Sequence, residues 1–205
     1  ISTKIIGLTG GIVLLIIVGG TFALFAFRQQ QKEARLLVEE SMNICRSIMD
    51  INRYHHDHNL LFTQTVGVGE REVIEMEGLE EFNQSVDVFR ATCMEFDQKV
   101  FASLSNLDSL SAADALPEEF VSNFAKIRDR LLLLHEEHEV CMPHTQAVFD
   151  LIELGDVASA KERAKIVWED EVQMKKGIEG LIAQQVEFNR SSLAASDARQ
   201  NNIAL

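Results

Sequence analysis

Apolar positions recur at three- and four-residue steps through most of the chain, which is the spacing of one face of an α-helix. The first such stripe is Leu37, Ser41, Ile44, Ile48, Ile51, His55, His58 and Phe62, within a helix expected from Arg28 to about Val66. Gly67-Val68-Gly69 is expected to break it and form a tight turn. A second helix is expected over Glu70 to Leu110, with the seam Leu79, Phe82, Val86, Phe89, Cys93, Phe96, Val100, Leu104 and Leu107. Small and polar residues follow from Ser111 to Leu116. Pro117 then suits the first position of a third helix, with Glu118 and Glu119 where the helix dipole favours them.

The third stripe runs through Phe120, Phe124, Ile127, Leu131, Leu134, His138, Cys141, Thr145, Val148 and Ile152, and Pro143 is expected to kink or loosen a turn within it. Gly155 suits a C-terminal cap and Asp156 the start of a fourth helix reaching about Asn201. That helix has Val157, Ala160, Ala164, Val167, Glu171, Met174, Ile178, Leu181, Gln185 and Phe188 on its seam. Four long helices with short connections imply an all-α, up-down-up-down four-helix bundle.

Ahead of this lies a stretch of another kind. Ile5 to Phe27 carries no charge and is bounded by Lys4 and Arg28. As a helix it spans roughly 30 to 35 Å, enough for the hydrocarbon core of a bilayer. A cleavable signal peptide has a shorter apolar region and a small-x-small cleavage site, whereas this run ends in bulky residues, so an uncleaved anchor over residues 1–27 is expected. Gly7 and Gly11, and again Gly19 and Ala23, have the spacing that lets membrane helices approach closely. Residues 28–200 are then expected to form the bundle domain. Ile203-Ala204-Leu205 reads as the opening of a second membrane span, with the chain cut short before the rest of it.

Composition narrows the partners. The net charge of −13 repels nucleic acid and anionic lipid surfaces. The three cysteines, Cys45, Cys93 and Cys141, contain no CxxC pair, so zinc-ribbon, dithiol redox and c-type haem motifs are all missing. Outside the cytoplasm two of them could pair, and the sequence leaves open which. Lys4 on one side of the apolar run and Arg28, Lys32 and Arg35 on the other do not favour a cytoplasmic N-terminus.

Three stretches, with this layout, carry a family likeness: Lys4-Ile5-Ile6-Gly7-Leu8 leading into a glycine-rich anchor; Leu154-Gly155-Asp156 followed by Ala158 and Ala160; and the long alanine- and glutamine-rich descent from Leu181 to Arg199. In these the chain resembles the four-helix-bundle sensor region of bacterial methyl-accepting chemotaxis proteins. The resemblance covers nearly the whole chain. It implies a homodimer in the bacterial inner membrane, a cytoplasmic N-terminus, a periplasmic bundle that binds a small-molecule ligand, and cytoplasmic signalling partners reached through the fourth helix. The arginine-plus-threonine amino-acid pocket of that class has no counterpart motif here. Histidine kinases and cyclic-dinucleotide enzymes carry sensors of the same type.

The remaining chemistry lies in the histidines. All six fall in two clusters, Tyr54-His55-His56-Asp57-His58 and His135-Glu136-Glu137-His138-Glu139 with His144. His55, His58, His138 and Cys141 sit on helical seams, and Glu171 takes the equivalent place on the fourth helix. His55 and His144 each lie 27 residues into their helices, roughly 40 Å from the common end, so the clusters can face one another. Such a set suits a transition metal, with His55, His58 and His138 as candidate ligands, or a b-type haem between facing histidines. It equally suits a histidine-lined pocket for a small anion, a pH-responsive core, or hydrogen-bonded structural histidines. Trp168 and Tyr54 stand near the same level and can line a pocket or fill core. His135 and Glu139 give one HxxxE without the companion HxxxH of an oxygen-binding di-iron bundle. No nucleophile is placed with a base, so a binding module is expected rather than an enzyme.

Overall fold

The computed structural model describes the backbone of residues 2–76, 78–112 and 116–203, and the side chains of residues 39–76, 78–112, 116–192 and 194. Among these residues the chain forms four helices and no strand: α1 (Ser2–Glu75), α2 (Glu80–Ser111), α3 (Glu118–Glu153) and α4 (Val157–Ile203). Its compact units divide between Met42 and Asn43. The first unit is the early part of α1. The second is a four-helix bundle made by the rest of α1 with α2, α3 and α4.

Side-chain pairs fix the helix directions. Phe62 of α1 meets Phe89 of α2 at 6.2 Å between ring centroids, and Glu72, further along α1, meets the backbone of Phe82, earlier in α2. On α2 and α3, Arg90 bonds Gln146 and Asp108 bonds Arg128. On α3 and α4, His144 bonds Asp170 and Asn123 bonds Gln185. In every pair one number rises as the other falls, so sequential helices are antiparallel, as the short connections require.

Most positions of the seams expected from spacing are buried in the core, while Leu79, Val157 and Phe188 are half-buried. Phe62, Phe82, Phe89 and Phe149 pack as one aromatic cluster, with centroids 5.4 to 6.2 Å apart, all at most 1 % exposed. Cap chemistry also follows the sequence at the α3–α4 turn. Gly155 adopts φ +77°, and the Asp156 N–H donates to Leu151 O, the backbone pattern that closes a helix with a left-handed residue. Asp156 Oδ1 then accepts the Ser159 N–H and caps α4.

The first turn lies elsewhere than expected. Gly67, Val68 and Gly69 are helical, and α1 ends only at Glu75, with Met76 in a left-handed conformation and Gly78 in the connection. The reason is packing. A Cβ on Gly69 would stand 2.5 Å from Ile152 Cγ2 and 2.6 Å from Phe82 Cδ2, so this glycine lets α2 and α3 side chains press onto the α1 backbone. The turn is held instead by Glu72, whose two carboxylate oxygens accept the N–H groups of Glu81 (3.2 Å) and Phe82 (2.9 Å) and so cap α2 from across the connection. Pro143 does not end α3. It lies on the exposed side beside exposed Glu139, whose carbonyl loses its intrahelical partner where water can reach it.

The two glycines separate cleanly by experiment. Gly69→Ala is expected to cost about 1–3 kcal/mol through overpacking. Gly67→Ala, where a Cβ meets nothing within 4 Å, should add about 0.5–1 kcal/mol of stability. Thermal unfolding followed by circular dichroism checks both, and equal effects would refute the packing account.

The anchor and second-span expectations fall largely outside the described side chains, as do Leu37 of the first stripe and residues 113–115 of the second connection. Among the described residues no helix is long and apolar enough to cross a membrane.

Candidate metal centre

Midway along the bundle the aromatic core gives way to a layer of ionisable groups drawn from all four helices. Glu171 of α4 is fully buried. Its Oε1 accepts a hydrogen bond from His58 Nδ1 at 2.9 Å, and its Oε2 lies 2.9 Å from His55 Nε2 in a less well directed contact. The three-residue step between His55 and His58 turns both rings to the same side of α1, so one carboxylate reaches both. Burial by itself pushes the Glu171 carboxyl up. The contacts from His55 and His58 outweigh it and hold the group down at about 2, which makes Glu171 a buried anion at neutral pH.

α3 repeats the arrangement with a different carboxylate. His138 Nδ1 stands 3.0 Å from Asp97 Oδ1 on α2, and His135 Nδ1 meets the same oxygen at 3.3 Å. Burial lowers the His138 pKa, against the pull of Asp97, and keeps the ring neutral. With their Nδ1 atoms given to carboxylates, His58 and His138 keep Nε2 buried, and neither Nε2 has a hydrogen-bond partner. The two rings are 5.4 Å apart at 70°, and Cys93 of α2 lies beside them. One donor atom from each of His58, Cys93 and His138 falls within 4.8 Å of the other two.

The chain's architecture has a solved counterpart. It is similar to a de novo designed two-domain di-Zn(II) and porphyrin-binding protein, with a TM-score of 0.52 at 12 % identity over 81 % of this chain and 98 % of that one. At that identity the likeness is one of fold. No protein-family model matches the chain, and neither does the sequence of any curated protein.

The residues singled out by spacing separate into three groups. His58, His138 and Glu171 belong to the layer, with His55 on the far side of Glu171. Cys141 borders it, its Sγ 4.0 Å from Glu171 Oε1 and 3.9 Å from Thr145 Oγ1, and burial followed by the Glu171 charge pushes its thiol up to about 12. His144 and Trp168 stand apart. His144 donates to Asp170 at 2.7 Å near the surface, and Trp168 is 39 % exposed with an edge against Phe62.

Two members were missed as chemistry. Cys93 sits in an unbroken apolar seam and reads there as core. Asp97, four residues further on the same face, reads as a solvated charge. A Cys-x-x-x-Asp pair on one face, level with two histidine clusters, was the available signal.

The layer's surroundings limit what it can hold. Phe89 packs at 4.5 Å on His58 and Phe96 at 4.7 Å on His138, so each imidazole is already in ring contact with a core phenylalanine. A small anion would meet Glu171 and Asp97 before any free donor. A cation meets two buried imidazole lone pairs and a thiol flanked by two carboxylates.

Proposed function

We propose that this chain is the sensory region of a membrane-anchored receptor of the chemoreceptor type. Ile5 to Phe27 fixes it in the bilayer, and the bundle stands outside the cytoplasm and acts as a homodimer. It passes small helix displacements to signalling partners on the other side. The observation that carries the reading is Glu171, a fully buried carboxylate of α4 tied to two imidazoles of α1 in a core made mostly of apolar side chains.

Burying such a layer gains little stability, because desolvation offsets most of the attraction between its members. Its use is registry. The layer ties the position of α4 to that of α1, and whatever occupies it biases two packings of the bundle by the difference in its affinity for them. A bundle serving only as a spacer has no need of this and would be at least as stable with an apolar layer. The net charge of −13 keeps the domain from lying down on an anionic lipid surface.

The test is a distance. Exposed Arg53 on α1 and Val172 on α4 flank the layer, and Arg53→Cys with Val172→Cys in a Cys45→Ser background provides two spin-label sites. Neutralising the buried anion with Glu171→Gln is expected to shift the separation by roughly 1–2 Å, the scale of helix shifts in switching bundles, with helix content retained. An unchanged distance distribution would overturn the sensory reading.

A further inference from the structure

We propose that His58, Cys93 and His138 form a site for one thiophilic d10 metal ion, Zn2+ or Cu+, bound through His58 Nε2, Cys93 Sγ and His138 Nε2. α1, α2 and α3 each contribute one donor, and all three residues are at most 4 % exposed. The two Nε2 atoms are buried polar atoms without a partner, a state that is unfavourable unless something accepts the lone pair. Their orientation is fixed from behind. Glu171 holds His58 and Asp97 holds His138, each at Nδ1, the carboxylate–histidine–metal arrangement that sets tautomer and ring angle in metal centres.

Donor chemistry selects the ion. Two imidazoles and one thiol exclude Mg2+ and Ca2+, which take oxygen, and suit d10 ions, which have no ligand-field demand on geometry. Cys93 binds as thiolate, so the incoming ion displaces the Sγ proton, which leaves to solvent. The ion's charge is then balanced by that thiolate and, at one remove, by Glu171 and Asp97.

Binding also draws the helices together. With metal–nitrogen bonds of about 2.0 Å and metal–sulfur of about 2.3 Å, donors end roughly 3.3 to 3.6 Å apart. One donor atom from each residue stands within 4.8 Å of the other two in this structure. A contraction on the order of 1 Å therefore pulls α1, α2 and α3 inward, and Glu171 carries the shift to α4. This consequence rests on the sensory reading above, whereas the binding itself does not.

The full chain in detergent micelles is stripped with a chelator. It is then titrated against a chromogenic competitor with Zn2+, and separately with Cu+ under anaerobic reducing conditions. One ion per chain is expected in at least one arm. Cys93→Ser and His138→Ala should each weaken binding by on the order of 100-fold or more, beyond the range set by loss of a supporting carboxylate. His56→Ala and Cys45→Ser should leave it unchanged. Loading with Co2+ should give a thiolate-to-cobalt charge-transfer absorption that disappears in Cys93→Ser, or in Cys93→Ala if a buried hydroxyl harms folding. Substoichiometric uptake in both arms, or equal affinity in wild type and the Cys93 variants, overturns the site. If metal fails to bind while Glu171→Gln still moves the spin labels, the site falls and the sensory reading stands. If metal binds and the labels do not move, the site stands and the sensory reading falls.

Discussion

Glu171→Ala is expected to destabilise the bundle by about 3–5 kcal/mol, because it removes the carboxylate that partners two buried imidazoles, His55 and His58. In a domain of this size the loss reads as a fall in Tm on the order of 10 °C. Replacing the whole group behaves differently. His55→Leu, His58→Leu and Glu171→Met together remove every charge and ring nitrogen from that part of the layer and substitute apolar volume. The triple variant is expected to be as stable as wild type or more stable by about 1–4 kcal/mol. The singles and the triple cannot add, since the residues share one carboxylate. Urea or thermal unfolding followed by circular dichroism measures both. A triple variant as damaged as Glu171→Ala would mean that the layer stabilises the fold and that a switching role is not needed to account for it.

The layer was partly legible in the sequence because helical spacing is a local property. His55, His58, His138, Cys141 and Glu171 could all be placed on seams from their own neighbours, and counting residues from the helix starts brought two histidine clusters to one level. What stayed hidden depends on groups far apart in the chain. Cys93 is adjacent to nothing polar on its own helix face before Asp97, and its meaning comes from imidazoles 35 residues before it and 45 after it. Gly69 misled for the same reason. Its usual local role is to break a helix, and here it is a contact point for Phe82 and Ile152, the second of them 83 residues away. Glu72 as the cap of α2 was likewise unreadable, because the residue that caps a helix normally stands at its start, and Leu79 there offers no side-chain oxygen. The four helices, their antiparallel order and their core faces needed no such long-range knowledge.

Acidification should weaken the bundle in two stages, and the second belongs to Glu171. The first comes from His138. Its folded pKa lies below the ordinary 6.5, so under that pH the unfolded chain takes up a proton that the buried ring refuses, and stability declines. Glu171 then acts over a lower window. Its carboxyl is held at about 2 against an ordinary 4.5. Above pH 4.5 the group is ionised in both states and its contribution is fully present. Between about 4.5 and 2 the unfolded state binds a proton and the folded state does not, so stability is lost, by on the order of 3 kcal/mol in total. Exposed carboxylates also titrate in this range, so the informative quantity is the difference between wild type and Glu171→Gln, which keeps the shape of the side chain and cannot titrate. That difference should be constant from pH 7 to about 5 and then shrink steeply towards pH 2.5. Urea unfolding at a series of pH values gives it directly. A difference that stays flat down to pH 2.5 would mean that Glu171 is not the buried anion on which the layer is built. The His58 tautomer that keeps the proton on Nδ1 and leaves Nε2 with a free lone pair would then lose its cause.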